Sequence, residues 1–366
     1  MTIVIAAGGT GGHVIPALTV ARLLKQRHPD CACVAVSGAR GAPERWWDSS
    51  VVELATVPVQ PWPEAWQVVD PRYWWRQGSA VMHITKLLRR YRPEVVVGFG
   101  GYVAGPTVVL ARAAGIPTVI HEQNVFPGRT TRLLVAWADR VAVSFEETRR
   151  HLPRGARVMV TGNPVAPEVE GRSRAEAVGV LGLTVGKPVL LIMGGSQGSR
   201  RVNEVSVEAL ARLTPRQRQV FQVLHLAGGR DLQWITERHR ALGIAGRVYA
   251  FLPAMGLAYA AATLAVTRAG ATTVAELVAT ATPAVLIPYP YAGAHQAANA
   301  QWLAHHGGAM VVDQAAFTPE QFLKLVVPLL GNSTQLASMR EALRQVATPG
   351  AAQRVADTVL EVACAA

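Results

Sequence analysis

One local pattern occurs twice, and it restricts the fold more than anything else in the chain. TIVIAAGGTGGH occupies residues 2–13, and PVLLIMGGSQGS occupies 188–199. Each is an apolar run of strand length, then a glycine-rich turn carrying a hydroxyl residue, then a helical pattern. Gly8 and Gly194 lie 186 residues apart in a chain of 366. That spacing fits a duplicated α/β architecture rather than a short-period repeat. A glycine turn at a strand end lets a ligand approach the backbone, and the helix behind it offers N–H groups and the positive end of its dipole. Phosphate is the usual guest. The alternative is tight strand-to-helix packing with no ligand.

The rest of the chain repeats the same rhythm. TIVIAA, CVAVS, EVVVGFG, PTVIHE and RVAVS read as buried strands of a parallel sheet. After residue 166 the series restarts with PVLLIM, QVFQVLHLA, VYAFL, LAVT and AVLIPY. NPVAPEVEGRSRAEA lacks an apolar period and is taken as the connection. The expectation is an α/β chain of two Rossmann-like domains, 1–165 and 166–366, with the C-terminal helix able to pack back on the first. Half of the residues are hydrophobic, enough for two cores, and the net charge is +12. The excess is larger in residues 1–165, with 19 Lys and Arg against 11 Asp and Glu. It suggests polyanionic partners: phosphorylated ligands, an anionic membrane or nucleic acid. Cys31, Cys33 and Cys364 form no CxxC pair and no zinc spacing, which fits buried thiols in a reducing compartment. No signal peptide is evident, and the uncharged runs 95–111 and 277–294 are broken by glycine and proline.

The common nucleotide motifs do not fit. The spacing is not G-x-G-x-x-G, and no acid ends the second strand, which argues against a nicotinamide cofactor. GLTVGKP has the wrong spacing for a P-loop, and no Asp-x-Asp is present to bridge a diphosphate through a metal. No cofactor and no bound metal are expected.

Seven motifs then occur in one order: GGTGGH (8–13), GFGGYVAGP (98–106), HEQN (121–124), GNPV (162–165), GGSQGS (194–199), RAGATTVAE (268–276) and HQAANA (295–300). Together they resemble the MurG family of lipid-linked GlcNAc transferases over nearly the whole chain. The resemblance implies a GT-B fold, two Rossmann-like domains facing a cleft. It also implies inverting transfer of GlcNAc from UDP-GlcNAc to the 4-hydroxyl of undecaprenyl-diphospho-MurNAc-pentapeptide (lipid I), giving lipid II of peptidoglycan, without a chelated metal. HEQN with GGYVAGP argues against other GT-B enzymes, such as a glycolipid glycosyltransferase or a UDP-GlcNAc epimerase. A binding module that holds a nucleotide sugar or RNA without chemistry is the reading from a different class.

By the same resemblance the donor lies mainly on the second domain. Ser196 meets the diphosphate, and Ala271, Thr272 and Thr273, with Val274 and Ala275 behind them, open the helix that does likewise. Glu276 takes the ribose hydroxyls, the Leu252 backbone reads uracil, and Gln296 and Asn299 read the sugar, with His295 beside them. From the first domain, Thr10, Gly11, Gly12 and Asn124 match donor-side contacts. His13 is a candidate general base, with Glu122 competing. The family pattern carries arginine after GNPV. Ala166 stands there instead, so either that contact is lost or Arg268 or Arg200 replaces it.

Six of the nine tryptophans fall within residues 46–75: Trp46, Trp47, Trp62, Trp66, Trp74 and Trp75. Arg72, Arg76, Lys86, Arg89, Arg90 and Arg92 follow without an intervening acid. Aromatic and basic residues together suit an anionic lipid surface; the competing reading is a packed loop with a solvated basic helix. Trp62, Trp66, Trp74, Trp75, Arg89 and Arg90 form the expected membrane patch. It would place the protein peripherally on the cytoplasmic face of the cell membrane, and no nucleic-acid motif accompanies it.

Overall fold

The computed structural model describes residues 1–8, 10–38, 46–60, 70–195, 198–291 and 295–365. The chain divides into two compact units, Met1–Val165 with Thr348–Ala366, and Ala166–Ala347. Residues 348–366 thus group with the first unit and not with the 166–366 segment to which the sequence boundary assigns them.

In the first unit the strands are β1 (Thr2–Ala6), β2 (Ala32–Gly38), β3 (Glu53–Val57), β4 (Val95–Gly98), β5 (Thr118–Glu122), β6 (Arg140–Val143) and β7 (Val158–Val160). They form one parallel sheet in the order β3-β2-β1-β4-β5-β6-β7. Alternation along β1 divides the core. Ile3 and Ile5 pack with Val14, Ala17 and Leu24 of the helix Gly11–Arg27 and with Val355 and Val359 of the helix Ala351–Cys364. Val4 and Ala6 face Ile84 and Leu88 of the helix Pro71–Tyr91 and Val108 of the helix Ala104–Ala113. Both faces are covered, which is why the strands read as continuous apolar runs. Cys31 and Cys33 are buried in the first of these cores, whereas Cys364 is exposed.

The second unit holds β8 (Val189–Met193), β9 (Gln222–Leu226), β10 (Gly246–Tyr249), β11 (Leu264–Thr267), β12 (Ala284–Leu286) and β13 (Ala309–Val311), parallel in the order β10-β9-β8-β11-β12-β13. In both sheets the strand order reverses at the strand that precedes a glycine turn: β1 sits between β2 and β4, and β8 between β9 and β11. Ligands of doubly wound sheets bind at such switch points, outside the carboxyl ends of the strands.

Three strands carried no clear sequence signal. β3, β7 and β13 are edge strands of three to five residues with partly exposed positions, so neither length nor continuous hydrophobicity marks them. The connection also differs from expectation. It ends in a helix, Arg174–Val180, started by Ser173, whose side chain accepts a hydrogen bond from the Glu176 amide at 3.1 Å.

Candidate functional site

In the first unit, the GFGG segment shapes the glycine turn after β1. Gly101 has φ +77°, and a Cβ there would lie 2.3 Å from the Gly8 carbonyl oxygen. Gly100, at φ +99°, makes room for the His13 ring, since a Cβ would stand 2.9 Å from its Cδ2. Thr10 caps the helix Gly11–Arg27 through its backbone and is exposed; Gly11 is buried, and Gly12 and His13 are half-buried. His13 Nδ1 lies 2.9 Å from the Gly8 carbonyl oxygen. A carbonyl can only accept, so Nδ1 carries a proton, and in the neutral form of the ring the lone pair is on Nε2.

Glu122 ends β5 and is 3% exposed. Its Oε1 accepts from the Asn124 backbone amide and from Asn124 Nδ2, both at 2.9 Å. Its Oε2 accepts from the Gly128 amide at 3.0 Å and from the Thr131 hydroxyl. Two donors on each oxygen pin the segment 122–131. The neighbouring residues join the remaining motifs. Gln123 Nε2 donates to the Phe99 carbonyl at 2.8 Å and to His121 Nδ1 at 3.1 Å, and His121 Nε2 donates to the Gly162 carbonyl at 3.1 Å. Burial lowers the His121 pKa to about 4, so the ring stays neutral in this line of bonds. Four of the seven motifs thus meet at the carboxyl ends of β1, β4, β5 and β7.

In the second unit Gly198, behind β8, packs equally closely. A Cβ on Gly198, at φ +76°, would fall 2.4 Å from the Ala227 carbonyl oxygen. Ser196 lies outside the described residues. The helix Ala271–Ala279 starts at Gly270 after β11 and directs the first-turn amides of Ala271, Thr272 and Thr273 beyond the strand ends. Val274 is buried in the core and Ala275 half-buried, so both serve the helix more than its opening. Glu276 is buried, and its Oε2 accepts a 2.7 Å bond from the Tyr259 hydroxyl. Burial raises the Glu276 pKa to about 7, with the Tyr259 bond opposing the rise. Gln296 Oε1 accepts from the Tyr289 amide at 3.0 Å and the Ala269 amide at 3.3 Å. Asn299 is fully buried and donates to the Ala269 carbonyl at 3.2 Å. Both therefore brace the turn that feeds the helix Ala271–Ala279. Leu252 is half-buried beside exposed Phe251, and His295 begins the helix His295–His305.

On the helix Pro71–Tyr91, Trp74 is 55% and Trp75 75% exposed, and Val81 and Met82 are exposed with them. Helical spacing puts these four on one outer arc, with Lys86, Arg89 and Arg90 along its flank and Tyr73, Ala80, Ile84, Leu87 and Leu88 buried opposite. Trp62 and Trp66 lie outside the described residues. Among those described, no helix is long and apolar enough to cross a membrane.

Comparison with known proteins agrees with this geometry. Residues 3–143 match the glycosyltransferase family 28 N-terminal domain, and 189–355 match its C-terminal domain. The UDP-N-acetylglucosamine–N-acetylmuramyl-(pentapeptide) pyrophosphoryl-undecaprenol N-acetylglucosamine transferase of Syntrophotalea carbinolica is 39% identical, over 97% of either chain. The transferase of the same name from Listeria monocytogenes is 35% identical over 99% of each. The crystal structure of Acinetobacter baumannii MurG superposes with a TM-score of 0.77 at 30% identity, covering 98% of this chain and 99% of that one. The chain belongs to the MurG family. Its fold is accordingly GT-B.

Against the MurG pattern, Ala166 stands where an arginine is usual, and both candidate replacements make other bonds. Arg268 is 6% exposed, and its guanidinium donates to the Ile287 and Pro288 carbonyls, Ser199 Oγ and Gln314 Oε1. It ties together the ends of β11 and β12 and the glycine turn. Arg200 is held by Glu204 at 2.6 Å and Asp231 at 2.9 Å.

Behind Asp231 runs a buried network that the sequence did not suggest. Asn203 Nδ2 donates to Asp231 Oδ2 and to the Ala227 carbonyl, both at 2.8 Å. Asn203 Oδ1 must then accept from His225 Nε2 at 3.1 Å, and His225 Nδ1 accepts from His239 Nε2 at 3.3 Å. Burial holds His239 down at about 4 and His225 well below the usual histidine value, so both rings are neutral and one direction of bonding satisfies the series. These partners are 14 to 28 residues apart in the chain, and no motif spacing signals them.

Proposed function

We infer that the chain transfers GlcNAc from UDP-GlcNAc to the MurNAc 4-hydroxyl of lipid I, forming lipid II in peptidoglycan synthesis. The observation that carries this reading is the near full-length identity to transferases of that name, at 39% for the Syntrophotalea carbinolica protein. The two glycine turns at sheet switch points supply the physical support. His13 is the proposed general base. Its Nε2 takes the proton of the acceptor hydroxyl, the oxygen bonds to the anomeric carbon, and the bond from that carbon to the diphosphate oxygen breaks with its electron pair leaving on UDP. The glycosyl centre inverts. Glu122, with four donors on its carboxylate, is assigned the role of positioning Asn124. Thr10, Gly11 and Gly12 complete the first-unit contribution.

On the donor side, Ser196 and the amides of Ala271, Thr272 and Thr273 receive the diphosphate, where helix N-termini favour negative charge. Glu276 accepts from the ribose hydroxyls and the Leu252 backbone reads uracil. Gln296 contributes its side-chain amide to the sugar, while Asn299 acts by fixing the Ala269 turn. Trp74, Trp75, Arg89 and Arg90 are proposed to rest on an anionic membrane, where the lipid-borne acceptor resides. That arrangement is peripheral and cytoplasmic. UDP release measured with and without a lipid I analogue tests the assignment. Acceptor-dependent release is expected, and release of equal rate without acceptor would refute it.

A further inference from the structure

A cavity of about 330 Å³ opens beside the second glycine turn, lined by Gly198, Ser199, Arg200, Ala227, Arg230 and Asp231. Its walls combine three features that favour an anion. The turn backbone approaches closely, because the glycine at 198 admits no side chain against Ala227. The helix Arg200–Arg212 begins at the cavity, and its N-cap Ser199 gives no side-chain hydrogen bond to the first-turn amides. Instead the Ser199 hydroxyl accepts from Arg268 Nη2 at 2.7 Å. The third feature is Arg230. It is exposed and enters no ion pair or hydrogen bond among the described residues.

The two arginines in the wall differ in what they have left to give. Arg200 is neutralised by Glu204 and Asp231, and its guanidinium lies 4.9 Å from the centre of the Trp234 ring. Asp231 is itself fixed by Asn203 at 2.8 Å, and Asn203 by His225 at 3.1 Å. The network immobilises one cation as part of the wall, where Arg200 faces two carboxylates and Asn203 and His225 add no charge. Arg230, adjacent in sequence to Asp231, is the lining cation that makes no ion pair among the described residues.

We propose that Arg230 is a donor-binding residue that contacts the diphosphate of the nucleotide sugar, with Arg200 and the Asp231–Asn203–His225 series shaping the wall beside it. This rests on the donor reading above and extends it to a residue outside the seven motifs. A guanidinium pairs with phosphate oxygens through charge-assisted hydrogen bonds, which are stronger than neutral ones. A nucleoside without phosphates cannot use them.

Isothermal titration of wild type, R230A and R230K with UDP and with uridine, at low and high salt, tests this. R230A should weaken UDP by roughly tenfold or more while leaving uridine unchanged. R230K should retain part of the affinity, and the salt dependence of UDP binding should flatten in R230A. Equal losses for UDP and uridine would assign Arg230 to the nucleoside and overturn the proposal, as would unchanged UDP affinity in R230A. Failure of the wild-type chain to bind UDP would instead sink the donor reading, so the two failures are distinguishable.

Discussion

Glu276→Gln should stabilise the protein at pH 8 while impairing it. The wild-type carboxyl is buried, and its pKa rises from the usual 4.5 to about 7. Between those values the native state holds a proton that the unfolded state has lost. Wild-type stability therefore falls as pH rises through that window and levels off above it. At about 1.4 kcal/mol per pH unit, the gap from 4.5 to about 7 costs about 3 kcal/mol by pH 8. Glutamine cannot ionise and avoids that cost. It also weakens the 2.7 Å bond from Tyr259, which loses its charged acceptor, a loss of about 1 kcal/mol. The net expectation is a gain of about 1–2 kcal/mol at pH 8, vanishing or reversing at pH 5. Urea unfolding of both proteins without ligand at the two pH values measures it, with UDP titration alongside to record the loss of nucleotide affinity. A stability difference that is the same at pH 5 and pH 8 would refute the reasoning, because burial of an ionising carboxyl could not then be its source.

His13→Gln should lower kcat by about 100- to 10,000-fold with little change in UDP affinity, read by steady-state kinetics and titration. Glu122→Gln should act differently, placing an amide N–H against donors and costing about 2–3 kcal/mol of stability in thermal unfolding, with activity falling in proportion to folded protein. Gly101→Ala forces an unfavourable φ and a Cβ 2.3 Å from the Gly8 carbonyl, so a loss of at least about 2 kcal/mol is expected by denaturation. Replacing Trp74, Trp75, Arg89 and Arg90 with serine should reduce sedimentation with anionic vesicles, with roughly 1 kcal/mol from each arginine, and leave UDP binding intact. Full retention on vesicles would remove this helix as the docking face.

What the sequence made legible was whatever repeats locally. The buried strands β1, β2, β4, β5 and β6 showed as apolar runs because helices cover both sheet faces, and the glycine turns showed because their φ values and close contacts admit little else. The edge strands did not, since partial exposure mixes their composition. Within the site, the motifs named His13, Glu122 and Glu276 but not their surroundings. The hydrogen-bond partners come near only by folding: the Gly8 carbonyl for His13 and four donors for Glu122; burial beside Tyr259 sets the charge state of Glu276. The partners of Arg268, which lie on segments after β8, β12 and β13, were likewise not legible, because only folding brings them together.

The helix Ala351–Cys364 supplies Val355 and Val359 to the same core face as Ile3 and Ile5. During synthesis on the ribosome, residues 166–347 can therefore emerge and close their own core while the earlier-made first unit still has one sheet face incomplete. The second unit can thus complete its core before the first, the opposite of the usual N-terminal-first order. Until residues 351–364 leave the exit tunnel, a strip of apolar surface beside β1 stays open to chaperones and to other nascent chains. A stop codon or a protease cut near residue 347 would leave the second unit whole and cripple the first.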